Sequence, residues 1–155
     1  KDPNNDEAYF RIGVVYFDMK KYNEAYEYLT KSITLKDNNN LQAQKYSYRG
    51  FTNYYLNKKP EAAEDLKHAV RLNPKDESSY LQLWITLNDL NQYEENLKYM
   101  TEAYKNTGKL DFLQKRFNLN LKLNRLNDAY NDLKEAQSKG VYIPPSEFAK
   151  TGRKG

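Results

Sequence analysis

Residues 20–39 read KKYNEAYEYLTKSITLKDNN, and residues 58–77 read KKPEAAEDLKHAVRLNPKDE. Both open on paired lysines, place an alanine ahead of a leucine by four residues, and end in a polar stop. Anchoring on that small residue gives Ala25, Ala62, Asn96 and Ala129, which are 37, 34 and 33 residues apart. Four residues on lie Leu29, Leu66, Met100 and Leu133, and seven on lie Ser32, Ala69, Ala103 and Ala136. Positions separated by three and four residues share a helical face, so each copy predicts a helix with a small–large–small stripe. A breaker closes each one: Asp37 with three following Asn, Pro74, Gly108, and Gly140 with Pro144 and Pro145.

A second helical pattern precedes each phrase. It carries Tyr9, Ile12, Gly13, Tyr16 and Met19; then Tyr46, Gly50, Tyr54 and Leu56; then Tyr80, Leu83, Leu87 and Leu90; then Leu113, Phe117, Leu121 and Leu123. Short polar turns at 20–21, 57–59, 91–92 and 124–125 separate the two patterns. The unit is helix, tight turn, helix, breaker.

A two-helix unit recurring near 34 residues resembles the tetratricopeptide repeat. Tyr9, Ile12, Gly13, Tyr16, Ala25, Leu29 and Asp37 fall on that family's signature positions, with Ser32 where Ala is usual. The resemblance implies an all-α fold, a right-handed superhelix of antiparallel helix pairs. It divides residues 6–140 into repeats at about 6–39, 43–76, 77–109 and 110–140. Residues 1–5 read either as the closing turn of a preceding repeat or as a polar cap. Residues 141–155 read as a tail that offers Val141, Tyr142, Ile143 and Phe148 as apolar side chains, with a short capping helix expected after Ser146.

A glycine inside a helix costs about 1 kcal/mol against alanine, so Gly13 and Gly50 imply close approach of a partner helix, expected at Ala25 and Ala62. Trp84 and Phe117 replace that glycine in repeats three and four, and Asn96 replaces the alanine in repeat three. Splayed or shifted helix pairs are expected there.

Composition narrows the function. The 155 residues have a mean hydropathy of −1.04 and 39% hydrophobic residues, with 15 Tyr, which suits an elongated array with a thin core. No run reaches the roughly 18 apolar residues of a membrane span, so a soluble, cytoplasmic chain is expected, with a removed targeting segment left open. Cys is absent and His68 is the sole histidine. Metal sites and Ser/His or Cys/His pairs are therefore not expected. No phosphate loop or dinucleotide fingerprint occurs. No cofactor and no enzymatic activity are expected. The net charge of +4 is split evenly, +2 on residues 1–76 and +2 on the remainder, without the basic cluster that phosphate backbones require.

The resemblance places ligand contacts on the first helices, which line a concave groove in such arrays. The site expected here is Phe10, Val14, Phe17, Phe51, Tyr54, Tyr55, Leu81 and Ile85. Aromatic anchors of this kind suit an apolar or amphipathic peptide segment of a protein partner. Family members that clamp a chaperone tail's carboxylate use Lys, Asn and Arg, where this chain has Phe10, Val14, Tyr48 and Gln82. A non-catalytic interaction module, acting as scaffold or adaptor, is the function expected. The alternative is a structural spacer that self-associates through its repeat ends.

Overall fold

The computed structural model describes residues 5–35 and 41–153, and the described residues form nine helices and no strand. The expected closing turn at Asp37 with its Asn run, and residues 1–4 of the opening segment, lie outside the described residues. The chain divides into two compact units, Lys1–Leu90 and Asn91–Gly155.

In the first unit, α1 (Asp6–Asp18) packs antiparallel on α2 (Tyr22–Thr34), α3 (Gln42–Tyr55) on α4 (Lys59–Leu72), and α5 (Glu77–Asp89) lies against α3 and α4. The side chain of Asn5 caps α1 through the Ala8 N–H (2.9 Å), and Asp76 caps α5 through Ser78 and Ser79. Each cap satisfies a backbone donor that the first helical turn leaves open.

The tight turns have one design. Lys20, Asn57, Asn91 and Asn124, at the same step of four successive repeats, all have left-handed backbone with φ of 56–61°. After α1, the Lys20 N–H donates to Phe17 O (2.8 Å) and the Lys21 N–H to Tyr16 O (2.9 Å). Asn57 and Lys58 repeat this bonding after α3, as Asn124 and Arg125 do in the second unit. This is a Schellman stop, in which two orphan carbonyls of the ending helix are satisfied at once.

The nearest neighbours of both glycines are leucine side chains of the partner helix. A Cβ added to Gly13 would meet Leu29 Cγ at 2.7 Å, and one added to Gly50 would meet Leu66 Cγ at 2.8 Å. Ala25 and Ala62 are fully buried, and the Ala62 carbonyl oxygen stands 3.3 Å from the Cβ position of Gly50. The helices come close because the large side chain of the second helix lies across the bare Cα of the first.

Polar networks are built into the packing. Asp65 on α4 accepts two bonds from the Arg49 guanidinium, each 2.8 Å, and a third from Asn53 Nδ2 at 3.0 Å. The Asp65 bond holds the Arg49 pKa above its ordinary value. In the first repeat the equivalent space between α1 and α2 holds stacked rings, Tyr16 on Tyr28 at 5.3 Å and Tyr9 on Tyr28 at 6.2 Å. Across the repeat boundary, Lys45 of α3 pairs with Asp6 of α1, both buried, and Ser47 of α3 shares a 2.7 Å hydrogen bond with Ser79 of α5.

In the second unit, α6 (Tyr93–Thr107) packs on α7 (Leu110–Lys122), α7 on α8 (Leu126–Ser138), and α8 on the five-residue α9 (Pro145–Ala149). Gly108 ends α6 with a left-handed φ of 69°. Phe117, standing where the first two repeats have glycine, is itself core: it packs with Ala129, Leu133 and Phe148. Asp132 here accepts from Arg116 (2.8 Å) and Asn120 (2.8 Å), repeating the Arg49–Asn53–Asp65 arrangement with Glu135 as an added acceptor. Burial pushes the Asp132 carboxyl up despite these donors. Phe148, 2% exposed, anchors the tail's helix on this core, while Tyr142 stands 82% exposed.

Candidate peptide-binding groove

Helices α1 and α3 of the first unit, with the α4–α5 connection and the start of α5, surround a cleft of about 720 Å³. Its apolar wall is Phe10, Val14, Val15, Leu41, Tyr48 and Phe51. Its polar margin includes Glu7 and Arg11, which pair with each other across one turn of α1 at 2.5 Å, Asn73 and Asp76 from the α4–α5 connection, and Ser78 from the first turn of α5.

Three of the eight expected residues line this cleft. Phe10 is its floor, only 7% exposed, with its ring edge-on to Tyr48 (5.8 Å) and its body against the Ala25–Leu29 core. Val14 and Phe51 are half-buried walls, and Phe51 leans on Tyr48 at 5.9 Å. Leu41 and Tyr48 belong to the cleft and were not among the expected residues.

Phe17, Tyr54 and Tyr55 form an adjoining aromatic ladder and do not line the cleft. Phe17 touches Tyr22, Tyr48, Phe51 and Tyr55, with centroids 5.6–6.3 Å apart. Tyr55 lies flat on Tyr22 at 4.8 Å, yet is 54% exposed. The Tyr54 hydroxyl donates to Asp89 Oδ2 (3.0 Å), which also receives Lys59 Nζ (2.9 Å). The Lys59 bond holds the Asp89 carboxyl below its ordinary range, with Tyr54 adding to the effect. Much of this aromatic surface therefore joins repeat to repeat. Leu81 is half-buried and Ile85 is 37% exposed, both on α5 and both outside the cleft.

Among the described residues, Arg11 is the basic side chain on the cleft wall, and Glu7 already pairs with it. Among the described residues no group of three or more His, Asp or Glu could hold a metal ion. His68 is an exposed helix residue whose ring lies 4.7 Å from that of Tyr46.

Comparison with known proteins agrees with this architecture. Residues 6–39 match the tetratricopeptide repeat family. Over 120 residues, 76% of the chain, the sequence is 32% identical to human DnaJ homolog subfamily C member 7. The chain spans only 24% of that relative's length. Among solved structures, MamA superposes with a TM-score of 0.73 at 23% identity, covering 90% of this chain and 80% of its own. The first tetratricopeptide domain of Spaghetti (RPAP3), bound to the HSP90 peptide SRMEEVD, gives 0.63 at 20% identity, covering 79% and 98%. No helix of the described residues is long and apolar enough to cross a membrane. The recurring helix pairs, the matched repeat and the shared fold make this chain a tetratricopeptide-repeat protein.

Proposed function

We propose that the chain is a non-catalytic scaffold or adaptor that takes an apolar or amphipathic peptide segment of a protein partner in the α1–α3–α5 cleft. The observation that carries this reading is the continuous apolar wall of Phe10, Val14, Val15, Leu41, Tyr48 and Phe51 beside a polar rim. Apolar anchors in a pocket with a polar margin are how helix-in-groove recognition gains its affinity. Among the described residues the cation on the wall, Arg11, is paired with Glu7, which disfavours a clamp for a chaperone tail's carboxylate, because a buried carboxylate needs a charged or multiply donating partner.

Panning a random peptide library on the immobilised chain is the test. Enriched peptides should carry apolar or aromatic anchors at helical spacing. They should be lost by Val14→Asp with Phe51→Ala, provided the variant keeps its helical circular dichroism. Equal recovery on both proteins would show that binding occurs elsewhere.

A further inference from the structure

Within the second unit, the segment 141–144 that joins α8 to α9 forms one wall of an apolar cleft of about 660 Å³. Leu113 and Phe117 of α7 and Leu133 of α8, each 5% exposed or less, line the cleft opposite it. The segment is tied at both ends: the Val141 N–H donates to Ala136 O (3.2 Å), and the Glu147 N–H to Pro144 O (3.0 Å). Between those ties, the N–H and C=O groups of Tyr142 and Ile143 find no partner among the described residues.

The local sequence keeps this stretch extended. A residue that precedes proline is driven out of the helical region, which applies to Ile143 before Pro144 and to Pro144 before Pro145, and Pro144 has φ −66° and ψ 149°. Side chains alternate as they do along a strand: Ile143 packs on the Phe117–Leu133–Phe148 core, whereas Tyr142 is 82% exposed. The result is a short, open strand edge fixed beside an apolar cleft. Pro144 and Pro145 have no N–H, so the edge ends after two donors.

We propose that this edge takes an extended segment of a partner protein by strand addition, the partner's backbone pairing with residues 142–143 and an apolar side chain entering the cleft. Main-chain pairing supplies affinity in this mode, and the pocket for an alternate side chain supplies selectivity. A helical ligand satisfies its own backbone and would leave Tyr142 and Ile143 open. Charge narrows the occupant further. Asp111, Asp132 and Glu147 line the cleft against Lys150. Asp111 and Glu147 pair with lysines of their own helices, Lys115 and Lys150, both at 2.7 Å. Such pairs within one helix contribute little, so an incoming cation can replace either lysine. The partner segment therefore carries a basic residue beside its apolar one.

This site differs from the α1–α3–α5 cleft in its residues and in the form of its ligand, so either can fail alone. Its test uses the full chain and the end-blocked peptide Lys-Val-Leu-Val-Lys, with one version N-methylated at the central leucine and another at both valines. Successive N–H groups of a strand point to opposite sides, so one methylated version should lose about tenfold in affinity while the other binds like the parent. The amide resonances of Tyr142 and Ile143 should move on binding. End-blocked Glu-Val-Leu-Val-Glu should bind more weakly than the lysine peptide, and Asp111→Lys with Glu147→Lys should reverse that order. Absence of binding by the parent peptide, equal affinity of the two methylated versions, shifts that spare Tyr142 and Ile143, or an order that the double substitution leaves unchanged each overturns the proposal.

Discussion

Lys45 in α3 donates to the Asp6 carboxylate at the start of α1, and the two side chains are 0% and 2% exposed. The pair ties the first helices of adjacent repeats beneath the cleft, where Ser32 Oγ also donates to Asp6 O at 2.7 Å. Removing one partner of a buried ion pair leaves an uncompensated charge, which costs about 3–5 kcal/mol, whereas replacing both by apolar groups costs far less. Lys45→Met should therefore lower the urea midpoint steeply, and Asp6→Leu added to it should recover much of the loss. Additive losses from the two changes would mean that the pair is not coupled.

The glycine contacts give a second test. Alanine is the better helix former by about 1 kcal/mol, so an unconstrained glycine would gain stability on substitution. At Gly13 and Gly50 the added Cβ would stand 2.7 and 2.8 Å from a leucine Cγ, a branch point that cannot swing aside without moving the whole side chain. Overpacking of this kind costs about 1–3 kcal/mol. Gly13→Ala and Gly50→Ala should each lower the melting temperature, and an unchanged or raised value would mean that the helix pair opens freely.

Two carboxylates should respond to pH in opposite senses. Asp132 is pushed above the ordinary 3.8 by burial, which outweighs Arg116 and Asn120. Its carboxyl therefore contributes most below 3.8, and that contribution is lost as pH rises through the raised value. Asp89 is held below 3.8 by Lys59 first and Tyr54 second, so its contribution is present above 3.8 and lost as pH falls through the lowered value. Denaturation of Asp132→Asn and Asp89→Asn beside wild type, on both sides of that pH, reads the slopes. The wild-type advantage over Asp132→Asn should shrink with rising pH, and the advantage over Asp89→Asn should grow. Parallel slopes contradict the assignment.

Spacing alone carried the repeat, because the pitch of a stacked helix pair forces the same small–large–small stripe at every turn of the array. The buried charges were not legible. Lys45 stands in Gln-Ala-Gln-Lys-Tyr, a run no different from a solvated face, and only the three-dimensional neighbour Asp6 reveals its burial. The Arg49–Asn53–Asp65 network did have a signal: Arg116, Asn120 and Asp132 repeat its spacings two repeats later. Comparing alternate repeats, rather than adjacent ones, brings it out. The expected groove residues divide between the cleft and repeat packing, because helix position predicts which way a residue points and not how far a ring reaches sideways. Phe17 and Tyr55 reach across to α3 and α2 respectively and are used in packing.

The left-handed turn positions supply the last test. Asparagine holds three of them and Lys20 the fourth, at φ 59°. A left-handed conformation costs an ordinary L-residue about 1–2 kcal/mol, and asparagine relieves part of this through local hydrogen bonding of its short side chain. Asparagine is preferred here to glycine because it does not add freedom to the unfolded chain. Lys20 is exposed, and among the described residues its hydrogen bonding is that of its backbone in the turn. Lys20→Asn should therefore stabilise the protein by about 0.5–1 kcal/mol, seen as a raised urea midpoint with an unchanged slope. The same change to glycine should gain less, because its added unfolded-state freedom offsets the relief of strain. A destabilised Lys20→Asn would mean that the lysine side chain, rather than the backbone geometry, holds the turn.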